Sequence, residues 1–306
     1  MNKKLVFPVM ILVLAAIVAG VSRIARGGGG IFALFEPHGA IAAQESHIII
    51  IAVALMFAVA IPTFIFLLYV VAKYRDDNTK APYRPEERGG KKAAAFLWGV
   101  PALLILVIAV MNWHTTHELD PYKPLDSTTA PITVQVVSLR WKWLFIYPEQ
   151  HIATVNFLEI PDNTPVNLEL TSDAPMNSFW VPQLAGQMYS MAGMSTQLHF
   201  IADEPGDFQG RAAEINGPGF AGMSFTVRAA SADDFAHWVD TVRNSHKALT
   251  AEEYAKLALP SEYVPAAYYA SVPDDMYNMI MGKYMSPTTV AMASDGGGAM
   301  QGMKMR

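Results

Sequence analysis

The sequence predicts a membrane-anchored α+β chain: two or three transmembrane helices, a β-sandwich or small barrel, and a C-terminal helical extension. Three observations carry this. Long apolar runs crowd the first 113 residues. Hydrophobicity with a period of two begins near residue 131. A helical period with N-capping residues replaces it from residue 231.

Composition agrees with a bilayer protein. Hydrophobic residues make up 52% and charged residues 16%, whereas soluble domains carry about 25% charged residues. The net charge of −5 comes without any basic stripe, which argues against a nucleic-acid partner. The chain has no cysteine. Disulfides, thiolate metal sites, a thiol nucleophile and lipidation on cysteine are therefore excluded.

Residues 1–25 contain a short apolar run, Leu5 to Val21, behind Lys3 and Lys4. This pattern fits a signal peptide or a first membrane helix; with no cysteine to lipidate, retention is the expectation. Residues 26–47 follow as a periplasmic segment. The runs at 48–72 and 93–113 reach the roughly 20 residues that cross a bilayer. The loop between them, residues 73–92, carries Lys73, Arg75, Lys80, Arg84, Arg88, Lys91 and Lys92. Lys and Arg mark the cytoplasmic side, so the large C-terminal region is expected outside. Trp98 and Trp113 stand near the ends of the third run, where indole rings favour the interface.

Within residues 125–230, Ile132, Val134 and Val136 alternate with polar residues. So do Val166, Leu168 and Leu170, then Leu198 and Phe200, then Met223, Phe225 and Val227. Turns are expected at Pro161-Asp162-Asn163, at Glu204-Pro205-Gly206-Asp207 and at Asn216-Gly217-Pro218-Gly219. Residues 231–288 read as helical. Ser231 is a candidate N-cap, with Asp233 and Asp234 in the first turn and Phe235, Trp238, Val239 and Val242 as the apolar stripe. Thr250 is a second cap before Glu252 and Glu253. Residues 289–306 are rich in Gly and Met and read as a disordered tail.

These segments resemble a known family. Arg140-Trp141-Lys142-Trp143-Leu144-Phe145-Ile146-Tyr147-Pro148-Glu149-Gln150 is similar to the aromatic strand of heme-copper oxidase subunit II. Ile152-Ala153-Thr154-Val155-Asn156, Met176-Asn177-Ser178-Phe179-Trp180, Met191-Ala192-Gly193-Met194 and Gly217-Pro218-Gly219-Phe220-Ala221-Gly222-Met223 resemble its cytochrome bo-type ubiquinol oxidase branch. The match runs from about Phe35 to Tyr284. It implies two membrane helices and a cupredoxin-like sandwich in the periplasm, anchored in the bacterial inner membrane.

In the cytochrome c oxidases of this superfamily, the sandwich holds a binuclear copper centre. Its ligands are two cysteines, two histidines, a methionine and a backbone carbonyl. The resemblance places Ala212 and Asn216 at the cysteine positions, Asn177 and Phe220 at the histidine positions, Glu214 at the carbonyl and Met223 at the methionine. Thiolates suit copper because both are soft, and here neither remains. No cofactor is expected in this chain. The resemblance implies a complex in which subunit I holds two hemes, one copper and the ubiquinol site, with subunits I, III and IV and membrane lipid as partners. That complex would reduce O2 to water and pump protons, with this chain as a subunit lacking its own redox centre.

Trp141 and Trp143 are expected to pack the core and contact subunit I. His114 and His117 share a helix face but read as headgroup contacts. Met292, Met300, Met303 and Met305 could hold Cu(I) as soft ligands, yet a tail tolerates them without function. The acid pairs Asp233-Asp234 and Glu252-Glu253 read as first-turn residues that complement the helix dipole, not as catalysts. Two rival functions remain: a copper-bearing cytochrome c oxidase subunit, and a free-standing copper module using Met188, Met191 and Met194. The chain departs from the family at Ala93-Ala94-Ala95-Phe96, where relatives place a glutamate at the mouth of a proton path. Glu86 or Glu87 is the expected substitute.

Overall fold

A computed structural model of the chain describes residues 33–75, 78–79, 90–125 and 127–285. The first apolar run, Lys80, Arg84, Glu86, Glu87, Arg88 and the Met-rich tail lie outside the described residues. Two units are distinguished, Gln44–Asp120 and the remainder of the chain.

The first unit holds two long helices, α1 (Ala40–Lys73) and α2 (Lys91–Glu118). At 1.5 Å per residue the shorter one reaches roughly 42 Å, more than the hydrocarbon thickness of about 30 Å. Both start earlier than the apolar runs, and α2 also ends later. Hydropathy marks only the part of a helix that sits in hydrocarbon, while the flanking polar residues continue the same turn. The helices are apolar all round and exposed: Phe64, Phe66, Phe96 and Trp98 all project outward. A helix with no polar face suits lipid or a membrane partner. Pro62 and Pro101 lie inside them, as membrane helices tolerate, and Thr63 Oγ1 donates to the Val59 carbonyl at 2.8 Å.

The second unit is a two-layer β-sandwich. Its strands are β1 (Ile132–Leu139), β2 (Lys142–Tyr147), β3 (Ile152–Val155), β4 (Phe157–Pro161), β5 (Val166–Ser172), β6 (Asn177–Val181), β7 (Ala185–Ser190), β8 (Thr196–Phe200), β9 (Gly206–Ala212) and β10 (Ser224–Ala230). A short β11 (Ala267–Tyr269) joins the edge of the first sheet, whose order is β11-β3-β2-β1-β5-β8. The second sheet runs β4-β10-β9-β6-β7. The chain crosses between sheets at Asn156, whose φ of 54° breaks the strand. Asparagine tolerates this left-handed conformation better than most residues. Its side chain braces the crossing: Oδ1 accepts from Trp143 N at 2.8 Å and Nδ2 donates to the Val264 carbonyl at 2.7 Å.

The strands expected from alternation are all present. In β1 and β5 the apolar positions are buried and their first polar neighbours only half-buried. Between the sheets, Trp143 and Phe145 meet Phe179 and Phe225 at ring separations of 5.3–6.4 Å. The segment before α1 belongs to this unit. His38 N donates to the Gln183 carbonyl, Asp203 N donates to the His38 carbonyl, and His38 contacts Glu204 and the Phe208 ring.

The extension comprises α3 (Ala232–Arg243), α4 (Ala251–Leu257), β11 and α5 (Met276–Gly282). Ser231 and Thr250 cap α3 and α4 by accepting from Asp234 N and Glu253 N. The acid pairs lie in the first turns behind these caps, with Glu252 and Glu253 paired to Lys256 and Lys247. Phe235, Val239 and Val242 join the main core, while Leu249, Tyr254, Tyr269, Met276, Tyr277 and Ile280 build a second one over the first sheet.

Asp173 ties the extension to the loop after β5. Its carboxylate accepts from Lys283 Nζ at 2.7 Å, from Tyr284 Oη at 2.6 Å and from Tyr254 Oη. Burial raises the pKa of this carboxyl, but the three donors outweigh it and hold it below the ordinary value. A depressed carboxylate stabilises the fold above its unfolded pKa and loses that contribution as pH falls through the folded one. Asp173→Asn is expected to cost about 2–3 kcal/mol at neutral pH, in the range of hydrogen bonds to a charged group. The loss should shrink as pH falls below 4. Denaturant unfolding of both forms at several pH values checks this; an equal loss at pH 7 and pH 3 would refute it.

Candidate functional site

The six positions of the ligand pattern come together at one end of the sandwich. Asn177 opens β6 and is fully buried, and Ala212 closes β9. Glu214 and Asn216 follow in the loop, Phe220 lies in a 3-10 turn (Pro218–Gly222), and Met223 precedes β10. The loop is closed at its base, because Ala212 N donates to the Met223 carbonyl at 3.1 Å. It is also tied sideways, because Ala213 N donates to the Ser178 carbonyl at 2.9 Å.

Met223 sulfur is the centre of this cluster. Asn177 Nδ2 approaches it at 3.1 Å and Asn216 Nδ2 at 3.3 Å. Asn177 is otherwise satisfied: Nδ2 also donates to Ser138 Oγ at 3.0 Å, and Oδ1 accepts from Ser178 N at 2.9 Å. Asn216 Oδ1 and Ser190 Oγ are buried with no hydrogen-bond partner among the described residues; Ser190 sits opposite Asn177 in the β6–β7 ladder. The donors present are one thioether, one backbone carbonyl and two neutral amides. Copper takes thiolate, thioether and imidazole, so these residues do not fit a copper pair. Among the described residues no group of three His, Cys, Asp or Glu is placed to hold a metal.

The two tryptophans separate. Trp143 is fully buried between the sheets, so it is a core residue and cannot itself touch a partner. Trp141 is not in a strand: it sits in the β1–β2 turn with φ of 66°. Its half-buried indole lies flat on the glycine turn, where a Cβ at Gly219 would fall 2.5 Å from the ring and one at Gly217 3.0 Å. Trp141 Nε1 points to the Asn216 carbonyl at 3.4 Å. With Arg140, Pro175, Asn216 and Pro218 it lines a surface cleft of about 290 Å³.

Two contributors were not legible as site residues. Tyr263, from the extension, covers the other side of the glycine turn, within 2.7 Å of where a Cβ on Gly222 would stand. Lys142 is buried beside Trp141, and its Nζ donates to the Leu259 carbonyl at 2.8 Å and contacts Ser261 Oγ. It thereby fixes the segment that carries Tyr263. Burial lowers its pKa. The signal for Lys142 was present: a lysine inside a strand whose every residue is apolar except itself.

The remaining candidates disperse. His114 and His117 are exposed at the end of α2, and His117 stacks on Trp113 and bonds its carbonyl at 2.7 Å. Met188 packs against the core, Met191 is half-buried and Met194 is exposed, so they do not present one surface cluster.

Ala212 and Asn216 stand four residues apart on one loop, with Met223 at its far end. The intact chain is expected to take up no copper. The variant Asn177→His, Ala212→Cys, Asn216→Cys, Phe220→His is expected to bind two coppers and show the intense visible bands of a thiolate-bridged pair. Metal analysis and absorption spectra decide both. Stoichiometric copper in the native chain would contradict the first expectation, and a colourless folded variant the second.

Residues 148–230 match the family described as cytochrome c oxidase subunit II, periplasmic domain, and residues 243–288 match the COX aromatic rich motif. The chain is 47% identical over 251 residues to cytochrome bo(3) ubiquinol oxidase subunit 2 of Pseudomonas putida, covering 82% of this chain and 80% of that protein. It is 46% identical over 257 residues to the Pseudomonas aeruginosa protein of the same name, covering 84% and 78%. It is 44% identical over 301 residues to ubiquinol oxidase subunit 2 of Acetobacter aceti, covering 93% and 98%. With the cupredoxin-like sandwich and two apolar helices already in place, this similarity over nearly whole chains shows that the protein belongs to the ubiquinol oxidase subunit II family and is a subunit of a respiratory quinol oxidase.

Proposed function

We propose that this chain is a structural and assembly subunit without a redox centre, in a proton-pumping oxidase that takes electrons from ubiquinol and reduces O2 to water. The observation that carries this reading is the donor set around Met223. Four of the six ligand positions hold Asn, Ala, Asn and Phe, so electrons have no relay through the sandwich. Chemistry then belongs to subunit I, with its two hemes, its copper and the quinol site. This chain supplies two helices that bury their apolar surface against membrane partners, and a sandwich that caps the periplasmic face. Trp141 with the cleft beside it, in place of both tryptophans, is the contact for subunit I. An indole anchoring the edge of a cleft is the usual form of an interface hot spot. Subunits III and IV complete the complex in the inner membrane. The copper-bearing rival lacks both thiolates and both imidazoles, and Met188, Met191 and Met194, which a free-standing copper module would use, form no single surface cluster.

Purification of the tagged chain in mild detergent tests the assignment: a heme protein with oxygen-dependent quinol oxidation should accompany it. Its absence would favour a free-standing module. Trp141→Ala is expected to weaken retention of the heme subunit while leaving the fold intact, read as the heme-to-chain ratio after washing at high salt. An unchanged ratio would remove Trp141 from the interface.

Orientation is tested separately. Lys73, Arg75, Lys91 and Lys92 flank the segment between α1 and α2 and motivate a cytoplasmic loop. Single cysteines at Asn78 and at the exposed Glu149 are expected to react oppositely with an impermeant thiol reagent on intact spheroplasts. Only position 149 should label; labelling at 78 alone would invert the topology.

A further inference from the structure

Glu159 lies in the middle of β4, on the face opposite to the core residues Leu158 and Ile160. It is 3% exposed, and its Oε2 has no hydrogen-bond partner among the described residues. A carboxylate so placed is unusual, because buried charge is normally paired. Its strand neighbour on the same face, Phe157, meets Trp238 of α3 and Tyr268 of β11 at ring separations of 6.2 and 5.7 Å. The Glu159 backbone is held by Tyr147, whose hydroxyl accepts from its N–H and donates to its carbonyl, both at 2.9 Å. The carboxyl therefore sits at the seam between the sandwich and α3.

The groups facing it come from five elements: Arg228 of β10, Asp207 of β9, Asp234 of α3, Tyr268 of β11 and Tyr147 of β2. Arg228 is the only cation in that set, and it stands directly across the ladder from Glu159. Its guanidinium is already committed to Asp207, through Nε at 2.8 Å and Nη2 at 3.4 Å. Asp234 is committed to Ser231 at the start of α3. Of the three carboxylates, the two exposed ones hold the donors, and the buried one has an oxygen, Oε2, without a partner among the described residues.

We propose that Glu159 is a proton-operated latch for the C-terminal extension: with its proton the carboxyl lets α3 seat on β4, and without it the seam loosens. The physical cause is desolvation. Burial pushes the Glu159 pKa up to about 7, with Arg228 opposing and Asp207 and Asp234 reinforcing. Ionisation near neutral pH places a poorly paired charge at this seam, close to Asp234 of α3. Relief comes by admitting water there, and that loosens the helix. The sign follows from the raised pKa. The folded chain binds this proton more tightly than the unfolded chain, so the stability of the seam falls as pH rises from about 4.5 to about 7 and then levels. The latch is independent of which partner the chain meets.

Hydrogen exchange of the detergent-purified complex tests this, after correction for the pH dependence of intrinsic exchange. In the native chain, protection of Ala232–Arg243 is expected to fall by about tenfold per pH unit through the range just below 7, the limit for one linked proton. Protection of Ala251–Leu257 should stay level as the internal control. In Glu159→Gln, which keeps the shape without the charge, protection of α3 is expected to stay high across the whole range. If that variant fails to accumulate, Glu159→Met is measured in its place. A native α3 whose protection does not change with pH overturns the proposal without need of any variant. So does a pH-dependent α3 in a folded Glu159→Gln or Glu159→Met chain.

Discussion

The contact on which the rest of the sandwich depends is the four-ring cluster between its sheets. Trp143 and Phe145 rise from the first sheet, and Phe179 and Phe225 from the second. Buried aromatic rings contribute large apolar area and a preferred geometry. Here they demand a glycine as well: a Cβ on Gly210 would stand 2.1 Å from the Phe225 ring. Phe179 follows Asn177 by two residues, and Phe225 follows Met223 by two. The same packing that joins the sheets therefore fixes where the metal-pattern positions emerge.

The loop at these positions is held by packing and backbone hydrogen bonds. The loop from Ala212 to Met223 is closed by backbone hydrogen bonds and supported from below by the ring cluster. From outside it is gripped between Trp141 and Tyr263, each lying on glycine backbone. Two asparagine amides turn to the methionine sulfur. None of these interactions needs a metal.

The extension is joined to the sandwich by polar contacts of two kinds. Lys142 and Asn156 hold backbone carbonyls of the 259–264 segment. Asp173 collects two tyrosines and a lysine. Glu159, by contrast, is buried with one oxygen unpaired. Both kinds are satisfied, and Glu159 is not. Buried polar groups fix an arrangement strongly when satisfied and leave a weak point when not.

Much of the architecture was legible without coordinates, because it rests on local rules. Apolar run length identified both helices, period-two alternation found β1, β5, β8 and β10, and Ser231 and Thr250 capped the helices expected of them. The absence of cysteine ruled out a thiolate copper site outright. Long-range packing was not legible. Trp141 and Trp143 look equivalent in sequence, two residues apart in one aromatic run. The turn at Trp141 ends the alternation, so one indole faces a cleft and the other the core. Tyr263 lies more than forty residues from the glycine turn that it covers, and nothing local in the sequence marks Glu159 as the residue that packing will bury. Sequence by itself determined which residue chemistry was available and which elements would form, since both depend on neighbours in the chain. Only the tertiary structure decided which side chains meet, which polar atoms lose water and which are left without a partner, because burial is a property of the packed whole.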